Sequence, residues 1–142
     1  MERIQVKVKK LRKEANLPKK QRPGDAAWDL YAIENVTLNP FEPKIVRCGL
    51  ACDIPPGHKI LIYGRSGLAT RGVFTHIGTV DETYRGEVGP ILINLVMKPY
   101  QIYEGDRVGQ IVVVPTHDAD FIVTEELSES VRGIHGFGSS GK

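Results

Sequence analysis

An anion could bind where Gly64-Arg65-Ser66-Gly67-Leu68-Ala69 follows a predicted strand and opens a possible helical turn. The segment places backbone donors, a hydroxyl and a guanidinium group close together. A plain strand-to-helix turn would also use Ser and Gly here. Taken alone, the segment is consistent with an anion site and does not require one.

The C-terminal segment, residues 132–142, carries related chemistry. Its glycines would let backbone N–H groups approach phosphates, Ser139 and Ser140 could donate hydrogen bonds, and Arg132 supplies positive charge. Phe137 could stack on a base. The composition equally predicts a disordered tail, because the segment has no means of burying itself.

Polar residues interrupt two β-type runs between Gly78 and Glu87. This pattern predicts a hairpin that presents Asp81 and Tyr84 at its tip. An ordinary solvated hairpin would have the same pattern, so the segment alone does not establish a role for either side chain.

Two more polar residues stand in or beside apolar strands. Asp29 follows Trp28 in the segment Pro23–Tyr31, and buried carboxylates are rare unless paired, so a structural ion pair and a role near a metal are both open. Gln110 enters the apolar run Ile111–Val114 in the register of that strand. An isolated glutamine at such a position is usually just exposed.

Short apolar runs must position these segments. They alternate or are rich in β-branched residues, and no run keeps a helical period over three turns. The predicted strands are Ile4–Val8, Trp28–Ala32, Val36–Leu38, Lys44–Arg47, Leu50–Ile54, Lys59–Tyr63, Gly72–Thr75, Ile91–Met97, Arg107–Val114 and Phe121–Thr124. Only Ser66–Thr70 and Glu125–Val131 could be helical. Many strands joined by Gly and Pro turns favour an all-β sandwich, jelly roll or barrel over an α/β fold.

The composition fits one domain. A chain of 142 residues, 41% hydrophobic and 25% charged, can bury a proper core without disulfides or a structural metal. Cys48 and Cys52 are predicted to be reduced core or interface residues, because their spacing without a second pair matches neither a disulfide framework nor a zinc site. The sequence contains no apolar run of about 18 residues, which predicts a cytoplasmic protein with no membrane partner.

Basic residues concentrate near the start of the chain, although the net charge is only +2. They could shield a strand edge or steer an anionic substrate. A nucleic-acid patch is the less favoured interpretation, because the interleaved aromatic residues that stack on bases are missing. The residues are Lys7, Lys9, Lys10, Arg12, Lys13, Lys19, Lys20 and Arg22.

Taken in order, the five polar segments resemble the five motifs of the homotrimeric dUTP diphosphatases, or dUTPases. The segments are residues 23–31, 64–69, 78–87, 105–110 and 132–142. The resemblance implies a jelly-roll-like β-barrel with at most one or two short helical turns, and a homotrimer with active sites at subunit interfaces. It also implies Mg²⁺-dependent conversion of dUTP to dUMP and pyrophosphate, which keeps uracil out of DNA and supplies dUMP for dTMP synthesis. Residues 1–131 would form the core and residues 132–142 a flexible flap.

The resemblance also implies roles for single residues. Asp81 would be the general base for water attacking the α-phosphorus, and Tyr84 would pack against the deoxyribose. Asp29 would touch Mg²⁺ only through water. Uracil would meet Thr75, Gly78, Thr79, Val80 and Phe137. The phosphates would meet Arg65, Ser66, Gly67, Gln110, Arg132, Gly138, Ser139 and Ser140.

The sequence departs from the family pattern at a few positions. Thr83 stands where an acid or Gly is common, Trp28 where Tyr is frequent, and Thr75 where many members have Asn near the base. The connection Ala69–Gly72 is also shorter than usual. Of these departures, Thr75 and Thr83 bear on base recognition.

Three alternatives remain open. A dCTP deaminase relative would share the trimeric fold but depends on a catalytic Glu and lacks a Gly-Phe-Gly-Ser tail. A trimer that binds nucleotides without turnover would not need Asp81, Gln110 and Arg132. A purely structural jelly roll would bind no nucleotide.

Overall fold

The computed structural model describes residues 2–141 and is nearly all β. Its twelve strands are β1 (Lys7–Lys10), β2 (Trp28–Tyr31), β3 (Val36–Leu38), β4 (Lys44–Ile45), β5 (Leu50–Asp53), β6 (His58–Tyr63), β7 (Val73–Thr75), β8 (Gly78–Val80), β9 (Glu87–Val88), β10 (Ile91–Asn94), β11 (Tyr100–Ile102) and β12 (Arg107–Pro115). One short helix, α1 (Ser66–Ala69), follows β6. The expectation of at most one or two helical turns is confirmed.

The strands form four small sheets with the orders β1-β5-β9, β4-β10-β7, β11-β3 and β2-β12-β6-β8. Every ladder between these strands is antiparallel, and all eight pairs of neighbours are non-consecutive in the chain. The chain therefore crosses repeatedly between sheets, as a jelly-roll-like fold requires.

All four sheets contribute to a single main core. Inward residues alternate with outward ones along β6, where Ile60 and Ile62 are buried and their neighbours are not, so period-2 patterning sets the register. Among residues 2–141, Asn94 is a polar side chain that is fully buried in this core. Its hydrogen-bonding groups all have partners. Its amide donates to the carbonyls of Leu38 (3.0 Å) and Lys98 (2.7 Å) and accepts from the Val96 N–H (3.0 Å).

Both cysteines are buried and free, in agreement with the prediction of reduced core residues. Burial raises the pKa of the Cys48 thiol to about 12 and also raises the pKa of the Cys52 thiol. Neither thiol therefore has the thiolate character that reactive cysteines need.

Two predicted elements near the C-terminus are wrong. Residues 121–124 form no strand and residues 125–131 form no helix. Phe121 is 99% exposed and Val123 98%, so the apolar run has no sheet to join within the chain. A strand needs a paired edge, and a helix needs a surface on which to bury its apolar stripe.

Smaller differences concern strand boundaries. The first strand begins at Lys7 rather than Ile4, and the short strands β8, β9 and β11 are not among the strands predicted from the sequence. These three have only two or three residues each, too few to show a period. Within residues 2–141, no helix is long and apolar enough to cross a membrane.

Candidate active site

The segment at Arg65 is fixed by its flanking elements. Arg65 has extended backbone angles at the start of α1, and its carbonyl accepts hydrogen bonds from the N–H groups of Leu68 (3.1 Å) and Ala69 (3.0 Å). Leu68 is buried and anchors this turn in the core. Ser66 and Gly67 stay exposed, and no atom lies within 4 Å of the position a Gly67 Cβ would take. The turn therefore leaves its hydroxyl and open backbone free for a ligand.

Gln110 is held beside this turn by the four-stranded sheet. It lies on β12, where it pairs with Asp29 of β2 on one side and Tyr63 of β6 on the other. Its amide donates to the Gly64 carbonyl at 2.9 Å. The side chain is thus partly buried and oriented next to Arg65 rather than free in solvent.

For Asp29, the sequence allowed either a structural ion pair or a role near a metal. In the structure this buried acid forms ion pairs. The residue is 8% exposed. Its Oδ1 lies 3.4 Å from Nε of Arg65 and its Oδ2 lies 3.5 Å from Nη1 of Arg107. A buried carboxylate is strongly unfavourable when unpaired, so two guanidinium groups compensate for the burial. The structural ion-pair interpretation of Asp29 is confirmed.

These residues border a cavity of about 630 Å³, called here the arginine cavity. Three arginines contribute to its wall, together with two aspartates and two glutamines. The lining residues are Gln21, Arg22, Asp25, Ala26, Ala27, Asp29, Tyr63, Arg65, Ser66, Arg107, Gln110 and Val112. The volume is that of an ordinary small-molecule site, and the guanidinium groups suit a phosphate ligand.

Asp81 and Tyr84 lie on a turn, residues 81–86, that does not belong to a hairpin. β8 before the turn pairs with β6, whereas β9 after it pairs with β5 in a different sheet. The hairpin prediction is therefore wrong, and the Asp81 turn is a crossover between two sheets. The error arose because sequence shows two β runs and a polar tip but not which strands pair.

Contacts at both ends hold the Asp81 turn. The Tyr84 N–H donates to the Asp81 carbonyl at 3.0 Å, and the Gly57 N–H donates to the Glu82 carboxylate at 2.6 Å. Arg85 pairs with Asp53 at 3.0 Å. Asp81 and Tyr84 themselves are exposed. The sequence-based expectation that both side chains are presented to solvent is confirmed, although the element that presents them differs.

The Asp81 turn and the arginine cavity lie at different corners of the same sheet. Val80 pairs with Ile60 on β6, three residues from Tyr63, which pairs with Gln110. Two strand spacings and three residues along a strand separate Val80 from Gln110, about 14 Å between Cα atoms. Asp81 is accordingly absent from the cavity wall.

The residues predicted to meet uracil are split between a buried and an exposed side. Val80 is 6% exposed with its side chain in the core, so only its backbone could meet a ligand, and Thr79 is exposed. Gly78 stands beside Ile62. Oγ1 of Thr75 is buried without a hydrogen-bond partner among the described residues, and a Cβ at Gly64 would lie 2.8 Å from it. Thr75 therefore lies next to the Arg65 turn.

The predicted flap makes only local contacts. Nε of Arg132 donates to the His135 carbonyl at 2.6 Å, and the Ser139 N–H donates to the Gly136 carbonyl at 3.1 Å. Phe137 is fully exposed, and Gly138 and Ser140 lie in exposed turns. The last predicted flap residue, Lys142, lies outside the described residues. One chain thus brings Asp29, the Arg65 turn and Gln110 together, and leaves Asp81, Tyr84 and the flap apart from them.

Comparison with known proteins identifies the family of this chain. The family model described as dUTPase matches residues 13–141. The chain belongs to the dUTPase family. It is 41% identical over 142 residues to a deoxyuridine 5'-triphosphate nucleotidohydrolase of Nautilia profundicola, covering 98% of this chain and 100% of the relative. It is 40% identical over 141 residues to the same enzyme of Helicobacter pylori strain P12, covering 97% of each.

Solved dUTPase structures share its fold. A mutant dUTPase of Staphylococcus bacteriophage 80alpha with dUpNHpp superposes with a TM-score of 0.88 at 28% identity, covering 97% of this chain and 99% of that one. The all-β architecture and the enzymatic character predicted from the five motifs are confirmed.

Several cavity residues of this dUTPase were not assigned a role from the sequence. They are Gln21, Arg22, Asp25, Tyr63 and Arg107. Arg22 is one of the basic N-terminal residues, whereas Asp25 and Arg107 lie inside two of the five polar segments without a predicted role of their own. Nothing in the sequence marked Gln21 or Tyr63, because their positions depend on the packing of distant segments. The nearby Lys20 instead stacks on Trp28, with Nζ 4.3 Å from the ring centroid.

The family implies Mg²⁺, and the donors at the cavity fit it in a limited way. Residues 2–141 contain no group of three or more His, Cys, Asp or Glu side chains that could hold a metal ion. The cavity carboxylates are Asp25, which accepts from the Arg22 N–H at 2.9 Å, and Asp29, which is held by two arginines. Mg²⁺ keeps several waters and often takes its other ligands from substrate phosphates. The donor set therefore fits a hydrated ion, which Asp29 would reach only through water.

Proposed function

We propose that this enzyme hydrolyses dUTP to dUMP and pyrophosphate at sites shared between the subunits of a homotrimer. The observation that carries the proposal is the arginine cavity, whose wall combines Arg65, Ser66 and Gln110 in a volume suited to a small molecule. A triphosphate is the anionic part of dUTP that this set of donors would bind. The names of the similar proteins in Nautilia profundicola and Helicobacter pylori agree with dUTP as the substrate.

Asp81 is the general base in this proposal. It would take a proton from the water that attacks the α-phosphorus, a contribution of about 10²–10⁴-fold in rate. Its exposed carboxylate is free of ion pairs among the described residues, so it can accept that proton. Arg65, Ser66, Gly67 and Gln110 would hold the phosphates in line for the attack. Mg²⁺, when bound, would neutralise charge on the phosphates.

The residues at and before the Asp81 turn would bind the base and the sugar. The backbone of Gly78, Thr79 and Val80 would offer donors and acceptors to the uracil edge, with Thr75 nearby. A site built to hydrogen-bond one base edge leaves its own groups unpaired against cytosine. Tyr84 would pack on the deoxyribose and leave no room for a 2′-hydroxyl.

The flap, residues 132–142, would close over the bound nucleotide. Phe137 would stack on the base, Arg132 would bind the γ-phosphate, and Gly138, Ser139 and Ser140 would donate to phosphates. The near-complete exposure of Phe137 supports this proposal, because an unburied aromatic ring is available for stacking.

Two exposed apolar surfaces support the trimer. On the outward side of β4-β10-β7, Ile45 (64% exposed) pairs with Ile91 beside Phe74 (48% exposed), although the opposite side of the sheet is core. The tail run around Phe121 is exposed as well. Contiguous apolar surface of this kind marks protein–protein contact, and cyclic symmetry would bury the same patches in each subunit.

The enzyme would keep uracil out of DNA and supply dUMP for dTMP synthesis. We place it in the cytoplasm, where its two free thiols would stay reduced, with no nucleic-acid or membrane partner.

A substrate panel tests the proposal. We expect pyrophosphate release from dUTP with Mg²⁺, far less without it, and far less from dCTP, dTTP or UTP. Ammonia released from dCTP would instead identify a deaminase, and dUTP binding without turnover would identify a non-catalytic module. Light scattering on the same preparation should give three subunits.

A further inference from the structure

Arg107 stands at the arginine cavity because β12 contains a β-bulge. Along β12 and β2, Ile111 pairs with Trp28, Gln110 with Asp29 and Gly109 with Leu30, but the next pair is Arg107 with Tyr31. Val108 is therefore the extra residue. Bulges of this kind redirect side chains and are over-represented next to active sites.

The bulge moves Arg107 to the other face of the sheet. In an uninterrupted strand side chains alternate, so Arg107 would share the face of Gly109 and Ile111, which is the core side. With the extra residue, Arg107 shares the face of Gln110 and Asp29 instead. Val108 is fully buried, so it stays in the core.

Glycine at position 109 is part of this arrangement. Val108 and Gly109 are neighbours that both face the core side. A Cβ on Gly109 would lie 3.3 Å from Cβ of Pro90 and 3.4 Å from the Tyr63 carbonyl oxygen, which is tighter than an ordinary contact. The sequence Arg107-Val108-Gly109-Gln110 thus places two polar side chains on the cavity side and leaves two small apolar residues inside.

Arg107 closes a network around Arg65. Asp29 lies between the two guanidinium groups, 3.4 Å from Arg65 and 3.5 Å from Arg107. Nη1 of Arg65 also donates to the Arg107 carbonyl at 3.3 Å. Asp29 is itself fixed by backbone hydrogen bonds with Lys19 in both directions, at 2.8 and 3.3 Å. Two arginines sharing one carboxylate leave one net positive charge facing the cavity.

We propose that Arg107 is a positioning residue for polyphosphate binding, acting through Asp29 to hold the Arg65 guanidinium at the cavity. Without Arg107, Asp29 would pair with Arg65 alone, drawing the Arg65 guanidinium toward the carboxylate and neutralising it. With Arg107 present, the carboxylate is shared and Arg65 keeps charge for an anion. This inference rests on the proposed function only in taking a polyphosphate as the ligand.

The test measures binding of inorganic tripolyphosphate by calorimetry with Mg²⁺ present. Arg107→Gln should weaken binding about tenfold, and Arg107→Lys should restore part of the loss, since lysine keeps the charge without the planar fork. Arg47→Gln is the matched control, because the side chains of Arg47 and Arg107 are similarly exposed, 44% and 42%, and both are ion-paired. Arg47 pairs with Glu87 at 3.0 Å. The tripolyphosphate affinity of this control should not change.

A double-mutant cycle separates positioning from direct contact. In an Asp29→Asn background, Arg107→Gln should have little further effect, because Arg107 acts through Asp29. An equal tenfold loss in both backgrounds would overturn the positioning role. Equal weakening of tripolyphosphate and of deoxyuridine, which has no phosphate, would also overturn it and indicate general distortion of the site.

The proposed function can fail separately. If the wild type binds tripolyphosphate with this pattern of variants but does not hydrolyse dUTP, the reaction is wrong and the role of Arg107 stands. If dUTP is hydrolysed and Arg107→Gln leaves tripolyphosphate affinity unchanged, the role of Arg107 is wrong and the reaction stands.

Discussion

The arginine cavity and the Asp81 turn occupy two corners of one sheet, yet they differ in what a single chain provides. Around the cavity, β2, β6, β12 and α1 supply the guanidinium groups, the acid that pairs with them and an oriented amide. At the Asp81 turn, backbone contacts fix the loop, but Asp81 and Tyr84 have open space where a ligand would need further walls. In the proposed trimer, a site that uses both would join surfaces of different chains.

Mixing two inactive variants is the strongest test of this difference. Asp81→Asn and Arg65→Gln should each reduce turnover about a thousandfold, the first because the base is lost and the second because phosphates are bound poorly. If each site takes Asp81 from one subunit and Arg65 from another, trimers co-assembled from both variants contain intact sites. Random assembly should restore about a quarter of wild-type activity per site.

The control for this test is each variant mixed with itself, which should stay inactive. Both variants should also remain trimeric, because neither side chain lies on an apolar interface patch. Mixed trimers as inactive as the single variants would place both residues of one site in the same chain and contradict the shared-site proposal.

Removing residues 132–142 should have the next largest effect. We expect hydrolysis to fall about a hundredfold, because several phosphate donors and the stacking ring are lost together. The melting temperature and the trimer should stay nearly unchanged, since Ile134 and Phe137, the large apolar residues removed, are fully exposed. A variant with only Phe137→Ala should retain more activity than the truncation. A truncated protein that unfolds would show that these residues are structural.

The sequence predicted some parts of the site and of the fold and missed others. Motifs placed Arg65, Ser66 and Gln110 in one function. The sheet brings them together because Arg65 and Ser66 follow β6, whose burial alternates, and Gln110 lies on β12, which pairs with β6. The role of Arg107 could not be predicted, because the bulge that turns it to the cavity changes pairing without changing composition. The strong β-propensity of the run around Phe121 predicts a strand, but among residues 2–141 the run is exposed and pairs with no strand.

Gly86→Ala should have a smaller effect, confined to recognition of the sugar at the Asp81 turn. The Tyr84 hydroxyl donates to the Glu87 carbonyl at 3.0 Å, with the ring lying over Gly86. A Cβ there would lie 2.5 Å from Cζ and 2.8 Å from Cε1 of Tyr84, so the ring must move. Gly86 has no positive φ, so alanine fits its backbone. We expect the preference for dUTP over UTP, as a ratio of kcat/KM, to fall about tenfold.

Tyr84→Phe is the control for Gly86→Ala, because it removes the hydrogen bond to Glu87 and keeps the ring in place. It should preserve most of the dUTP preference. In a Tyr84→Ala background, Gly86→Ala should change nothing more. If it still lowers the preference there, the glycine acts independently of the ring.

The smallest effect concerns the core, which packs within one chain. Burial raises the pKa of Cys48 from 9.0 to about 12, so the folded protein keeps the thiol neutral while the unfolded chain ionises first. Stability from this group is therefore present below about pH 9 and is lost as pH rises toward 12. Between about pH 8.5 and 9.5 the loss is about 0.7 kcal/mol. Urea unfolding at both pH values should show a loss larger by about that amount in the wild type than in Cys48→Ala, where only Cys52 keeps a raised thiol pKa. Equal losses in the two proteins would mean that Cys48 ionises alike in the folded and unfolded states.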